Sequence, residues 1–443
     1  MASNKSKLLA RRIALNVINS SLKSKKSADE LFNNHKILNK IDQRDRNFSY
    51  NLIMTTLRHL GQIDDMMGRC LNTELPKKAY FARDILRLGI CQLVFLRTPS
   101  HAAINTSLII AEIENQGPYK KLLNAILRRI DREKVSFIKA QDAAKLNTPD
   151  WLWNSWVRAY GENITRKIAL AHMKVPATDI SVKSNITGWA KKLGGAVLST
   201  GSIRLRSSSN IAAMDGFNEG EWWVQDAAAR LPPTLFTKDL KGRLIADICA
   251  APGGKTAQLI NSGANVVAVD RSEARLKILD ENLSRLSYEA RMICADASKW
   301  KPDNLFDGVL VDAPCSSTGT IRRHPDVKYL KSSEDVFKAR GAQLRLLSNA
   351  AEITKINGQI IYSTCSLQAE EGPDVIDIFL KEYPNWRRDI IKNSTFKNNH
   401  EFLTKNGELR TLPHYLSDLK DLNDQKITSG MDGFFAARLV RLN

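Results

Sequence analysis

Two cysteines in this chain stand where a thiol could do chemistry. Cys315 closes the run Asp312-Ala313-Pro314-Cys315, and Cys365 sits in Ser363-Thr364-Cys365-Ser366. Each follows a Val/Ile-rich run, 306–314 and 358–366, so each is expected just past the carboxyl end of a strand, in a polar turn. A thiolate can split one hard step into two easier ones by forming a covalent adduct. A cytosine ring suits such an attack. Its C5 is a poor nucleophile until a thiolate adds to C6, after which C5 can take an electrophilic methyl. Asp312, at the same strand end, is placed to hold a pyrimidine and offset the charge it gains. Cys91, in an apolar helical stretch, and Cys294, inside an expected strand, read instead as small buried hydrophobes. No cysteine pair has C-x-x-C spacing and no His–Cys cluster accompanies them, so no metal is expected.

A second candidate site is the turn Cys249, Ala250, Ala251, Pro252, Gly253, Gly254 and Lys255, which follows the apolar run 244–251. Small residues between a strand and a helix let backbone amides approach a ligand closely. The Gly254-Lys255-Thr256 ending invites a phosphate-loop reading, but that pattern needs glycine at position 249, where Cys stands. A G-x-G-x-x-G fingerprint is absent as well. What survives is a turn for a nucleoside such as S-adenosylmethionine. Two further apolar runs end in Asp270 and Asp296. The first acid stands where such folds bind ribose hydroxyls, and the second could face an adenine amino group. Either aspartate alone is as well explained as a helix cap. A glycine-rich turn, then Asp, then Asp, at three strand ends in order, is not.

The elements that must position these groups follow from periodicity. From residue 240, short Val/Ile runs alternate with helical stretches near 254–262, 272–286, 335–356 and 370–381. That alternation means a parallel sheet covered on both faces, with ligands at the carboxyl ends of its strands. Residues 176–232 hold short strand-like runs (DISVKSN, AVLST, SIRLRS) and read as a small α+β unit. Trp151, Trp153 and Trp156 mark a connecting helix whose indoles pack between domains rather than stack on bases. Residues 6–140 repeat apolar side chains at helical spacing, as in Leu9, Ile13, Val17 and Ile18. The expected organisation is an all-α domain over 1–140, a linker and small α+β unit over 141–232, and a Rossmann-like α/β domain over 233–443.

Charge names a class of partner. The 443 residues carry 66 Lys and Arg against 47 Asp and Glu, a formal charge of +19. Residues 1–150 alone hold 26 basic and 14 acidic side chains, clustered at Lys5, Lys7, Arg11 and Arg12, at Lys23, Lys25 and Lys26, and at Arg128, Arg129 and Arg132. Such localised excess suits a nucleic acid, bound through salt-sensitive phosphate contacts. A solvated basic surface is the plainer alternative. No run is apolar for long enough to cross a bilayer, and the N-terminus lacks the apolar core of an export signal, so a cytoplasmic, reducing setting with free thiols is expected.

The motifs DICAAPGGKT, VDAPCSSTG, RRHPD (322–326), YSTCSLQAEE and DGFFAARL (432–439) together resemble the bacterial RNA cytosine-C5 methyltransferases. The basic helical N-terminus is similar to a NusB-type RNA-binding domain, a pairing that resembles the Sun/Fmu branch, which methylates 16S ribosomal RNA. The resemblance implies S-adenosylmethionine as methyl donor, held by the 249–255 turn, Asp270, Asp296 and Asp312. It implies that Cys365 is the nucleophile and that Cys315 resolves the adduct. DNA enzymes attack from their Pro-Cys motif, so spacing alone does not choose between the two thiols. Lys255 is expected to order the site electrostatically. Where many relatives have Asn after the paired glutamates, this chain has Gly372 after Glu370 and Glu371, a position expected to touch no catalytic group. A non-catalytic RNA-binding or antitermination module, or an enzyme acting on tRNA, are the competing readings. Deleting 1–140 is expected to weaken RNA binding while donor binding persists. Oligomeric state is not legible.

Overall fold

Leucine and isoleucine recurring every three or four residues put the N-terminal part of the chain into helices. The computed structural model describes residues 2–206, 210–396, 399–416 and 428–443. The helices are α1 (Ala2–Ser24), α2 (Ala28–Asn33), α3 (Gln43–Arg58), α4 (Leu60–Cys70), α5 (Tyr80–Val94), α6 (Ser100–Ile113) and α7 (Lys120–Lys139). They enclose one core that includes Ile13, Val17, Leu57, Leu86, Ile90 and Leu127. Cys91 lies inside it, fully buried, as expected. The side chains of Lys5 and Lys7 lie outside the described residues.

α8 (Ala143–Leu146), α9 (Asp150–Tyr160) and α10 (Glu162–His172) continue the same unit. Gln62 Nε2 donates to Gln141 Oε1 at 3.0 Å, and the amide of Asn147 to Gln62 Oε1 at 2.9 Å, which fastens α8 to α4. Trp156 is fully buried beside His172 of α10, and Trp153 packs with Ala144 and Ala169. Trp153 and Trp156 therefore fill the interior of the helical unit, and Trp151 is half-buried.

The second unit opens with β1 (Asp179–Val182), α11 (Ile186–Lys192), β2 (Ala196–Val197), β3 (Ile203–Arg204) and β4 (Trp222–Val224). Among the described residues these strands form a four-stranded antiparallel sheet, order β2-β3-β1-β4, over a core of Ile180, Ile203, Leu205 and Trp222. A bidentate Arg204–Asp179 pair, both bonds 2.7 Å and neither side chain exposed, locks β3 to β1.

The alternating segment then gives β5 (Leu244–Ile248), α12 (Gly254–Asn261), β6 (Asn265–Asp270), α13 (Glu273–Arg285), β7 (Arg291–Cys294) and β8 (Phe306–Asp312). Residues 321–332, with the single turn α14 (Val327–Leu330), belong to the helical unit. The sheet resumes with α15 (Ser333–Ile353), β9 (Thr354–Thr364), α16 (Pro373–Glu382), β10 (Trp386–Arg388), β11 (Leu409–Thr411) and β12 (Phe434–Arg441). Among the described residues the eight strands run β10-β12-β9-β8-β5-β6-β7, with β11 paired to β12. β7, β6, β5, β8 and β9 are mutually parallel, and β12 closes antiparallel on β9.

The chain thus packs as two units, Met1–Lys174 with Ile321–Ser332, and Val175–Thr320 with Ser333–Asn443. These breaks differ from 140 and 232. α8–α10 bury their apolar faces on one another and on α4, and residues 321–332 make several polar contacts with the helices. Arg322 is fully buried, and its carbonyl accepts from Arg58 at 3.1 Å. Asp326 Oδ2 accepts the Ala28 N–H at 2.9 Å, and His324 Nδ1 lies 2.7 Å from Asp29.

Candidate active site

β5 has β8 on one side and β6 on the other, so the connections leaving its carboxyl end diverge. In open parallel sheets this switch point is where ligands bind. The turn after β5 is shaped for close approach. Cys249 has φ 62° and Gly253 φ 102°, and a Cβ at Gly253 would meet Leu279 Cγ at 3.0 Å. The Cys249 thiol is pushed up to about 12, mainly by burial, and is no nucleophile.

Beneath the turn, Asp247 is fully buried inside β5 and accepts Thr256 Oγ1 at 2.6 Å. Its other oxygen has no hydrogen-bond partner, and burial raises its pKa to about 7. Asp270 ends β6, almost fully buried, accepting the N–H groups of Ala251 at 3.3 Å and Ser272 at 3.1 Å. It also pairs with Arg275 at 3.1 Å. Asp296 lies past β7 and is exposed. One of its oxygens accepts the Ser298 N–H (3.0 Å) and hydroxyl (2.7 Å), and the hydroxyl bond foremost holds its carboxyl low. Residues 297–299 form a turn and not a helix, so these bonds close a turn on Asp296 and do not cap a helix. Cys294, expected to be buried, is exposed instead, because it ends the edge strand β7.

The register of β8 against β9 sets Asp312 opposite Ser363. Asp312 accepts Lys255 Nζ at 2.7 Å and Ser363 Oγ at 3.1 Å, which ties the donor-side turn to both cysteine strands. The Gly319 N–H donates to the Cys365 carbonyl at 2.9 Å. The result is that Cys315 and Cys365, 50 residues apart, bring their sulfurs to 3.4 Å. The Ser317 hydroxyl is 3.6 Å from Cys365 Sγ. The two thiols do not ionise alike. The hydrogen bond from Cys315 is the largest influence lowering Cys365, with the Ser317 hydroxyl and Lys255 acting the same way against burial and Asp312. Cys315 is held well above the ordinary thiol range, first by that same bond and then by burial. Of the two sulfurs, Cys365 is therefore the one that ionises more readily.

Comparison with known proteins names the family. The family described as 16S rRNA methyltransferase RsmB/F matches residues 236–440, and the NusB family matches residues 8–132. Ribosomal RNA small subunit methyltransferase B of Shewanella oneidensis is 32% identical over 418 residues, covering 90% of this chain and 91% of that protein. The chain belongs to the RsmB/F family. The probable small subunit methyltransferase B of Bacillus subtilis is 29% identical over 421 residues, 90% of this chain and 91% of its own. The crystal structure of PH0851 shares the fold, with TM-score 0.72 at 21% identity over 96% of this chain and 98% of that one.

RsmB/F enzymes use S-adenosylmethionine, and the residues here fit it. Asp247 lies within electrostatic reach of both Asp270 and Asp312, and Lys255 is paired with Asp312. These carboxyl groups offer hydrogen-bond acceptors for the hydroxyls and amino groups of a nucleoside donor. Among the described residues no cluster of His, Cys, Asp and Glu could hold a metal ion, and no helix is long and apolar enough to cross a membrane. Sequence reasoning missed Asp247, whose signal was a charge inside an apolar strand, and Ser317, which carried no signal.

Proposed function

We propose that this RsmB/F enzyme methylates C5 of a cytosine in 16S ribosomal RNA through a covalent bond between Cys365 and C6. The observation that carries this reading is the 3.4 Å pair of sulfurs, unequal in acidity, beside Asp312 and Lys255. S-adenosylmethionine supplies an electrophilic sulfonium methyl. Cys365, as thiolate, bonds to C6, and the C5–C6 π pair becomes available at C5 for the methyl. Asp312 offers an acceptor to the exocyclic amine of the base, and Lys255 sets a cation against the charge that the ring gains. The methyl-donor turn 249–255, Asp270 and Asp296 hold the donor in this reading.

Adduct formation removes the negative charge from Cys365 and leaves a thioether, a weaker acceptor for Cys315. The largest cause of the raised Cys315 pKa is thereby weakened. Cys315 becomes easier to ionise, releasing its proton to solvent, when a base is needed. Its thiolate takes the C5 proton, the C5–H pair restores the C5–C6 double bond, and Cys365 leaves as thiolate. The target base must be unpaired or turned out of its helix to reach a thiol, and the basic helical unit supplies phosphate contacts to the RNA. An enzyme acting on ribosomal RNA works in the cytoplasm, where free thiols persist.

The test is covalent trapping on 16S RNA with donor present, read on a denaturing gel. Cys315→Ala is expected to accumulate a stable adduct and Cys365→Ala to form none. The opposite pattern would assign the attack to Cys315. No adduct with any variant and no methyl transfer by the unaltered enzyme would overturn the reading.

A further inference from the structure

Glu371 precedes α16, and its side chain is completely buried between the two cysteine loops. Oε1 accepts the Ser316 N–H at 2.8 Å and Gln343 Nε2 at 3.3 Å, while Oε2 accepts the hydroxyls of Ser316 and Ser366. Ser316 directly follows Cys315, and Ser366 directly follows Cys365. The two hydroxyls are themselves 3.1 Å apart. Gln343, on α15, also donates to the carbonyl of Pro314 at 3.0 Å, the residue before Cys315. The Glu371 carbonyl accepts from Tyr362 Oη at 2.9 Å and Thr364 Oγ1 at 3.3 Å, both on the strand that delivers Cys365.

Each of these donors is neutral, and burial raises the pKa of Glu371. A buried carboxylate without a cation among its donors is a poor stabiliser. Apolar packing would join two loops at less free-energy cost. Its geometry answers a different need, because two turns from separate strands must agree on one distance between sulfurs. Its charge also reaches Cys315 and helps keep that thiol protonated.

We propose that Glu371 is a positioning residue for methyl transfer, setting the separation of the Cys315 and Cys365 sulfurs by holding Ser316 and Ser366 on one carboxylate. This rests on the reading of Cys365 as nucleophile and Cys315 as the residue that frees the product.

Full-length Glu371→Ala and Glu371→Gln are compared with the unaltered enzyme in single-turnover methyl transfer, donor affinity and alkylation of each cysteine by iodoacetamide against pH. Misplacing a reacting group by about 1 Å costs on the order of 100-fold in rate, and a loss of that size is expected for Glu371→Ala. Donor affinity is expected to stay within about twofold, so the effect falls on kcat. Glu371→Gln keeps the shape and most hydrogen bonds and is expected to recover most of the rate. The groups facing the sulfurs are Asp312, Lys255, Ser317, Tyr362 and Glu371, and only the last changes. Removing its charge therefore lowers the pH at which Cys315 alkylates in Glu371→Gln. A purely structural residue would leave that profile in place.

The proposal is overturned if Glu371→Ala is folded and transfers methyl within about twofold of the unaltered rate. It is equally overturned if the Cys315 profile in Glu371→Gln is unmoved. Should Glu371→Ala not fold, the double variant Ser316→Ala/Ser366→Ala decides the point: it must lose rate as expected for Glu371→Ala, and full activity would refute the clamp. The alkylation profile needs no RNA. It judges Glu371 even if the unaltered enzyme fails on 16S RNA, a failure that would count against the functional reading instead.

Discussion

Asp247 is a carboxylate inside an apolar strand, with one oxygen on Thr256 and the other unpartnered. Its pKa of about 7 lies above the unfolded value of about 3.9. Between those values the folded chain holds a proton that the unfolded chain has lost. This contribution to stability is full below pH 4, declines as pH rises to about 7 and is flat above. Asp247→Asn removes the penalty, so the variant is expected to gain stability at pH 8, by up to about 4 kcal/mol, and to gain nothing near pH 4. Urea unfolding at both pH values checks this, and an equal gain at each would refute it. The thiols and Asp312 were legible because each breaks an apolar run at a strand end. Asp247 was equally visible, but its surroundings were not. Glu371 carried no such signal, because its partners Ser316 and Gln343 are distant in sequence and reach it only through the register of β8 on β9 and the packing of α15.

The strand–helix alternation after residue 240 translated directly into elements, because parallel strands buried on both faces are continuous apolar runs. The RRHPD stretch did not. Nothing in its composition shows that it folds among the helices, since its partners lie about 300 residues earlier. Lys328 on α14 is the firmest part of that attachment. It is 3% exposed, and its Nζ donates to the carbonyl of Arg58 at the end of α3 (3.1 Å) and to that of Asn147 (2.9 Å). A cation at a helix C-terminus satisfies an orphan carbonyl and opposes the helix dipole. Burial lowers its pKa to about 7, below the unfolded 10.4 or so. The unfolded chain therefore holds more protons between pH 7 and 10, and this group's contribution to stability rises with pH across that window. Lys328→Ala leaves a cavity and two buried carbonyls without a donor, with an expected loss of about 2–4 kcal/mol. Lys328→Met fills the space, and its stability is expected to vary less between pH 7 and pH 9 than that of the unaltered enzyme. Chemical denaturation at the two pH values separates the effects, and an unchanged slope in Lys328→Met would rule out Lys328 as its source.

The charge excess of the first 150 residues suggested a detachable RNA-binding module ending near 140, and the packing makes that cut unsuitable. Removing 1–140 strips α8–α10 of α4 and leaves residues 321–332 without the helices that bury Arg322 and Lys328. A buried arginine and lysine deprived of their partners are strongly destabilising. A chain of residues 141–443 is therefore expected to unfold at lower denaturant than the intact enzyme, or to aggregate, and loss of donor binding in it would say nothing about the role of the helices. A fairer division removes the whole helical unit: residues 175–443 with 321–332 replaced by a Gly/Ser linker of equal length. The turn 249–255, Asp270, Asp312 and both cysteines all lie in what remains. This chain is expected to fold and bind S-adenosylmethionine within about tenfold of the intact enzyme, a difference of some 1.4 kcal/mol, while its affinity for RNA falls further. Calorimetric titration with donor, and filter binding with RNA at two salt concentrations, measure both. If the linker-repaired chain folds yet loses donor and RNA together, the helical unit contributes to the donor site itself, and the division of labour between the two units is wrong.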